Sequence, residues 1–409
     1  MTKPTHQILT GDCRETLKTL PDQSVHCVVT SPPYFALRDY GVDGQIGLES
    51  SPAEYIAEMV GVFREIRRVL RDNGTVWINL GDSFVSNKHH GDGLKPKDLC
   101  GIPWRVAFAL QADGWYLRQD IIYSKPNPMP ESVTDRCTKS HEYIFLLTKE
   151  PRYFYDADAV REPASPNTNP KISQKEITRI TKARESGCNT SVGTGRCGGE
   201  THLVDGMVKS NNSYEKAVAL PVSTRNKRSV WTVTTSPFKA AHFATYPPAL
   251  IEPCILAGTS EKGCCPECGA PWIRVTKKVD TGRIQKAGDG WDQDEGTHGT
   301  IHRNGRAKGK SSVPVMTSKT IGWKPTCNCS VLDGEPEDQE DIDPHNAIPC
   351  TVLDPFGGSA TTAGVALAHG RNAITCELNP EYTGMMAARI KSIGKKIRIK
   401  LADQDGMLF

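Results

Sequence analysis

Apolar residues follow two rhythms along this chain, and the rhythms alternate. His6–Thr10 reads as a strand ending at Gly11-Asp12, followed by a helix over 14–20 and a break at Pro21-Asp22. Val25-His26-Cys27-Val28-Val29 is the next strand. From 52 to 70, Tyr55, Ile56, Met59, Val60, Phe63, Ile66, Val69 and Leu70 recur at helical spacing, with Ser51 as N-cap and Pro52 at the first helical position. Asn73-Gly74 is expected to stop that helix before a strand at 75–80. A helix over 103–112 ends near Gly114, and β-rich runs at 116–123 and 141–147 bracket the proline-rich loop 125–130. Between 151 and 228 the periodicity fades, and it returns at 230–233. A helix over 246–257 begins at Pro247-Pro248; strand 351–353, helix 359–369, strand 372–376 and helix 381–393 close the chain. Strand alternating with helix predicts an α/β fold: an open, mostly parallel sheet with helices on both faces. No internal repeat interrupts the pattern.

Composition narrows the setting. At 409 residues the chain can bury a full core and carry insertions, and its net charge of +3 says little by itself. Its distribution says more. Residues 165–235 and 271–325 each carry 11 Lys/Arg against 5 Asp/Glu, whereas 330–345 holds seven acids and no Lys or Arg. Two basic segments rich in Gly, Ser, Thr and Asn suit a polyanionic partner. There is no apolar leader and no run long enough to span a bilayer, so a cytoplasmic protein is expected and a membrane partner is not. Fourteen cysteines in such a chain argue for reduced thiols rather than a disulfide framework.

Two strings carry chemistry. DPFGGS (354–359) follows an apolar strand and precedes an Ala-rich helix. Asp354 stands at a strand's carboxyl end, Pro355-Phe356 shape the turn, Gly357-Gly358 allow close approach of a ligand, and Ser359 can cap the helix. Glu377 ends the next strand, where two carboxylate oxygens can accept from adjacent ribose hydroxyls. The turn has no phosphate-binding lysine and no spaced-glycine fingerprint, which fits a nucleoside cofactor without phosphates, such as S-adenosylmethionine, with Asp354 facing its ammonium. TSPPY (30–34) places a hydroxyl, two ring-locked prolines and an aromatic ring directly after the strand at 25–29, a rigid loop suited to holding a planar group.

On TSPPY, DPFGGS, Gly11-Asp12, Glu377 and YSKPNPMP (123–130), the chain resembles the DNA amino-methyltransferases, which methylate exocyclic amino groups of cytosine or adenine. The TSPPY motif lies N-terminal to DPFGGS, which resembles the beta group, a circularly permuted arrangement of a Rossmann-like methyltransferase sheet. The likeness covers 6–150, 230–262 and 350–393. It implies a catalytic set Ser31, Pro32, Pro33 and Tyr34, and a cofactor set Asp12, Thr30, Asp354, Pro355, Phe356, Gly357, Gly358, Ser359 and Glu377. Asp12 would reach the adenine amino group, Phe356 its ring, and His242–Pro248 would complete the pocket. Ser31 Oγ and the Pro32 carbonyl would accept from the two amino hydrogens and localise the nitrogen lone pair, with Tyr34 stacking on a base flipped out of double-stranded DNA. In that family serine at the position of Ser31 goes most often with cytosine-N4 and aspartate more often with adenine-N6, so the resemblance implies cytosine-N4 ahead of adenine-N6. Asp82 either lines the same pocket or caps a turn, and His89-His90 reads as solvent-exposed.

Cys265, Cys268, Cys327 and Cys329 form two close pairs with 58 residues between them, the donor set of a structural zinc, with Cys264 a competing fifth thiol. The expected organisation is a catalytic half (1–150), a target-recognition region (151–229), a cofactor-pocket segment (230–262), a zinc-binding insertion (263–330), an acidic linker (331–349) and a cofactor-binding half (350–409). Lys171, Lys175, Arg179, Lys182, Arg184, Arg225, Lys227 and Arg228 are phosphate-contact candidates. The implied setting is a bacterial cytosol, host or phage encoded, with a cognate restriction endonuclease as a partner and a monomer or homodimer as the assembly. An RNA methyltransferase and a non-catalytic zinc-bearing DNA-binding protein are the alternatives.

Overall fold

A computed structural model describes residues 2–85, 93–164, 222–235, 245–286, 312–329 and 347–405. His89-His90, Lys171, Lys175, Arg179, Lys182, Arg184, His242 and the acidic run 333–343 lie outside the described residues. The strands are β1 (His6–Thr10), β2 (Val25–Thr30), β3 (Leu70–Leu80), β4 (Tyr116–Ser124), β5 (His141–Thr148), β6 (Glu162–Pro163), β7 (Thr224–Arg225), β8 (Val230–Thr232), β9 (Ile273–Lys286), β10 (Ser312–Lys324), β11 (Thr351–Asp354) and β12 (Asn372–Glu377). The helices are α1 (Cys13–Thr16), α2 (Pro52–Val69), α3 (Ile102–Ala112), α4 (Pro248–Gly258), α5 (Thr361–Ala368) and α6 (Pro380–Asp405).

The chain divides into two compact units. The larger comprises Met1–Val160, Lys227–Val275 and Gly322–Phe409. Its sheet runs β1-β12-β11-β2-β3-β5-β4-β8. The first five strands are mutually parallel, β5 is antiparallel to both β3 and β4, and β8 pairs parallel to β4. The sheet is therefore mixed and mostly parallel. Apolar side chains fill both faces. Tyr55, Met59, Phe63 and Ile66 of α2, with Val106 and Leu110 of α3, cover one face. Leu250, Ile251 and Ile255 of α4, Val365 of α5 and Ile393 of α6 cover the other. Both faces being buried explains why β2 reads as a continuous apolar run rather than an alternation.

The expected start of α2 is present: the Ser51 hydroxyl accepts from the Glu54 N–H, and Pro52 opens the helix. Asn73-Gly74 behaves differently from expectation. The strand starts at Leu70, directly after the helix, and runs through the pair, with a register irregularity against Val25 and Cys27. A Cβ at Gly74 would come within 2.9 Å of the His26 carbonyl, so the glycine lets two strands close up instead of ending an element. The last helix also runs well past 393, to Asp405.

The smaller unit comprises Arg161–Asn226 and Thr276–Ile321. Within it β6 pairs antiparallel with β7, Arg225 Nε meets Glu162 at 2.8 Å, and a bridge joins Val222 to Met316. Parts of the two basic segments thus fold into one body. Arg225 is ion-paired there rather than presented alone.

Candidate active site

Because β1, β12, β11, β2 and β3 are parallel neighbours, their carboxyl ends line one edge of the sheet. Asp12, Glu377, Asp354 and Ser31 all follow from that geometry. The distant chain ends meet directly: Val352 and Leu353 pair with Cys27 and Val28, and Thr30 Oγ1 donates to Asp354 Oδ1 at 2.7 Å.

Asp354 is 2% exposed, and the protein's own donors surround it. Oδ1 also accepts from the Phe356 N–H at 3.1 Å, while Oδ2 accepts from Thr362 Oγ1 at 2.6 Å and the Tyr246 hydroxyl at 2.9 Å. Burial raises its carboxyl above the usual range, although these donors pull the other way. Through these donors Asp354 ties β2, β11, α5 and the segment before α4 together. Tyr246 belongs to the His242–Pro248 segment expected to complete the pocket, whereas Thr362 belongs to no motif in the sequence. The available signals are a tyrosine just before the Pro247-Pro248 helix start and a Thr361-Thr362 pair opening a helix of small apolar residues.

The glycine turn is also built differently from expectation. A Cβ on Gly357 would lie 1.9 Å from the Thr375 methyl, so this glycine admits β12. Gly358 has φ +49°, in the left-handed region, and its N–H donates to Glu377 Oε2 at 2.6 Å. Ser359 does not cap α5. Ala360, itself left-handed, is the residue before the helix, and Ser359 Oγ instead lies 3.3 Å from Thr361 Oγ1. Pro355 remains in the turn, and half-buried Phe356 packs against the core on the α2–α3 face of the sheet.

Glu377 sits at the end of β12 with Oε1 accepting from the Asn379 N–H at 2.9 Å. Burial pushes its carboxyl up to about 7. Each oxygen keeps a further lone pair, which fits a ribose diol. The Gly11 N–H donates to the Glu377 carbonyl at 2.8 Å and sets Asp12 beside it. Asp12 caps α1 through the Arg14 N–H at 2.8 Å, and Arg14 Nη2 reaches Asp12 Oδ2 at 2.6 Å. Burial raises the Asp12 carboxyl, but the Arg14 hydrogen bonds outweigh it and the net shift is downward. Its carboxylate is thus turned toward Arg14.

The TSPPY loop is held from below. The Tyr55 hydroxyl donates to the Pro33 carbonyl at 2.9 Å, the Ala36 N–H donates to the Gly47 carbonyl at 2.8 Å, and Pro32 is buried. Ser31 Oγ donates to the Tyr34 hydroxyl at 3.4 Å, and Tyr34 donates to Glu142 Oε2 at 3.0 Å. The Tyr34 ring lies against Gly81, where a Cβ would come within 2.4 Å of it. Glu142 also accepts from Asn79 Nδ2 at 3.1 Å and pairs with Lys125. Neither Asn79 nor Glu142 belongs to a motif in the sequence. The one readable sign was a lone amide in the apolar run Val76–Leu80. Asp82 takes the capping alternative: its carboxylate accepts from the Gly101 and Ile102 N–H groups at 3.1 and 3.0 Å, opening α3.

At the other edge of the sheet, the thiols of Cys265, Cys268, Cys327 and Cys329 all lie within 4.8 Å of one another. A tight turn presents the first pair, with Gly269 donating to the Cys265 carbonyl and Cys265 to the Ala270 carbonyl, both at 2.9 Å. Cys264 is not part of this set; its thiol points to the Ile348 carbonyl at 3.5 Å, and it groups with His26 and Cys350. Both ring nitrogens of His26 are spent. Nδ1 accepts from the Thr351 N–H at 3.1 Å, so Nε2 donates to the Gly269 carbonyl at 2.9 Å. Burial lowers its pKa to about 4, keeping it neutral. His26 therefore fastens the cysteine turn to the sheet and is not a metal ligand.

Among known proteins, the family model described as DNA methylase matches residues 25–265 and 350–388. The chain is 43% identical over 268 residues to the type II methyltransferase M.Cfr9I of Citrobacter freundii, covering 61% of this chain and 71% of that one. It is 41% identical over 276 residues to the type II methyltransferase M.SmaI of Serratia marcescens, covering 63% and 76%. The solved structure of PvuII DNA methyltransferase (cytosine-N4-specific) aligns with TM-score 0.47 at 15% identity, covering 97% of this chain and 93% of that one. The strand-end cluster and the family match agree, and the chain belongs to the DNA methylase family as an S-adenosylmethionine-dependent DNA methyltransferase.

Proposed function

We propose that the enzyme methylates the exocyclic N4 of cytosine at a specific site in duplex DNA. The observation that carries this is Ser31, rather than a carboxylate, at the carboxyl end of β2 and one residue from the Thr30–Asp354 tie. A hydroxyl there accepts from one amino hydrogen, and the Pro32 carbonyl accepts from the other. Together they draw the nitrogen toward tetrahedral geometry and free its lone pair. Tyr55 and the paired prolines hold these acceptors in place, so little reorganisation is needed as charge develops. Bound S-adenosylmethionine supplies the electrophilic methyl group. Glu377 would hold its ribose, and the 354–359 turn with Phe356 would shape the remainder of its site.

The four-thiol cluster fits a structural Zn²⁺, since four sulfurs at this spacing complete a tetrahedron and leave no position for chemistry. Arg161–Asn226, within the expected target-recognition region, and Thr276–Ile321 supply the phosphate-contacting and base-reading surface in this reading. The type II relatives support site-specific action with a cognate restriction endonuclease as the biological partner. Digesting methylated duplex to nucleosides tests the proposal. N4-methylcytosine is the expected product; N6-methyladenine would overturn the assignment made from Ser31.

A further inference from the structure

The geometry points to Glu142 as the terminal proton acceptor of the methyl transfer, acting through Tyr34 and Ser31. This inference rests on the proposed role of Ser31 as the acceptor for the target amino group.

Three groups form a chain whose hydrogen bonds all run one way. Ser31 Oγ donates to the Tyr34 hydroxyl at 3.4 Å, and Tyr34 donates to Glu142 Oε2 at 3.0 Å. Glu142 cannot reverse the direction while ionised, because a carboxylate only accepts. It is fixed from two further sides. Lys125, at the end of β4, pairs with Oε1, and buried Asn79 on β3 donates to Oε2 at 3.1 Å and to the Tyr143 carbonyl at 3.1 Å. The polarity of the chain turns the Ser31 hydrogen away from the substrate and leaves its lone pairs facing the amino group.

The same chain gives the departing proton a route. As the amino nitrogen bonds to the methyl carbon, the carbon–sulfur bond breaks and its electron pair stays on sulfur. The nitrogen then carries a positive charge and one proton too many. That proton passes to Ser31 Oγ, the Ser31 proton passes to the Tyr34 oxygen, and the Tyr34 proton passes to Glu142 Oε2. The sulfonium charge and the carboxylate charge cancel, both hydroxyls are restored, and the new carboxylic acid later loses its proton to solvent. Burial, and after it the Glu142 charge, hold the Tyr34 hydroxyl well above its ordinary pKa, so Tyr34 passes the proton without resting as a phenolate. Glu142 touches no reacting atom and is a positioning residue in this scheme.

Single-turnover rates on duplex DNA with S-adenosylmethionine, measured for Glu142→Gln, Tyr34→Phe and the double variant, test the relay. Glutamine keeps an oxygen for Tyr34 but binds no proton, and phenylalanine breaks the chain at its middle without removing a charge. Each single variant is expected to lose about 10²-fold in rate, with cofactor affinity and thermal midpoint retained. The double variant is expected to lose no more than the slower single, because both remove one path. Additive losses, or Glu142→Gln at the parent rate, would overturn the relay. Ser31→Ala, run alongside, separates the two levels: if it keeps full turnover, the underlying reading of Ser31 fails, whatever Glu142 does.

Discussion

At the scale of single residues, the site rests on polar side chains whose partners decide their roles. Ser31→Ala removes one of the two acceptors proposed for the amino hydrogens. It should lower the single-turnover rate by about 10²-fold or more while leaving S-adenosylmethionine affinity within about twofold; unchanged turnover would remove Ser31 from the chemistry. Glu377 carries a pH signature. Burial pushes its folded carboxyl up to about 7, above the ordinary value, so in the proposed ribose site it is a full acceptor only as pH rises through that range. Affinity for the cofactor should therefore weaken about tenfold between pH 8 and pH 6, by calorimetric titration. Glu377→Gln should lack that dependence. A parent pH profile identical to the variant's would dissociate Glu377 from the ribose.

At the scale of elements, β11 and β12 are held together at the site by Gly357, whose missing side chain makes room for the Thr375 methyl. Gly357→Ala should cost about 1–3 kcal/mol by overpacking and weaken cofactor binding, because the turn that presents Gly358 to Glu377 must shift. A thermal melt together with a binding isotherm reads both, and an alanine variant with parental values would contradict this packing. The cysteine turn belongs to the opposite edge of the sheet, fastened by His26 to the Gly269 carbonyl. The protein should contain one zinc per chain by elemental analysis, and chelation should lower the melting midpoint by about 5 °C or more. Cofactor affinity should change little on chelation, since the cluster and Glu377 lie at opposite strand ends. Absence of bound metal would remove the zinc assignment.

At the scale of the whole molecule, the sheet was largely legible because burial on both faces writes itself as apolar runs, and caps and prolines mark the helices. The Ser51-Pro52 start of α2 and the strand–turn–helix at 351–368 are examples. Individual side-chain roles were less legible, because each depends on a neighbour distant in sequence. Asp354 is saturated by residues 324 positions before it and 108 positions before it, and Glu142 meets Tyr34 across 108 positions. Gly357 reads as a ligand turn until Thr375 is beside it. The same long-range closure is the foundation of the function: β2 and β11 pair, and the two ends of the chain make one strand-end edge. A crystal structure of the enzyme with S-adenosylhomocysteine and cognate duplex tests this most directly. It should show an extruded cytosine with its amino nitrogen about 3 Å from Ser31 Oγ and the cofactor ribose on Glu377. A target base left in the stack, or bound away from Ser31, would contradict it.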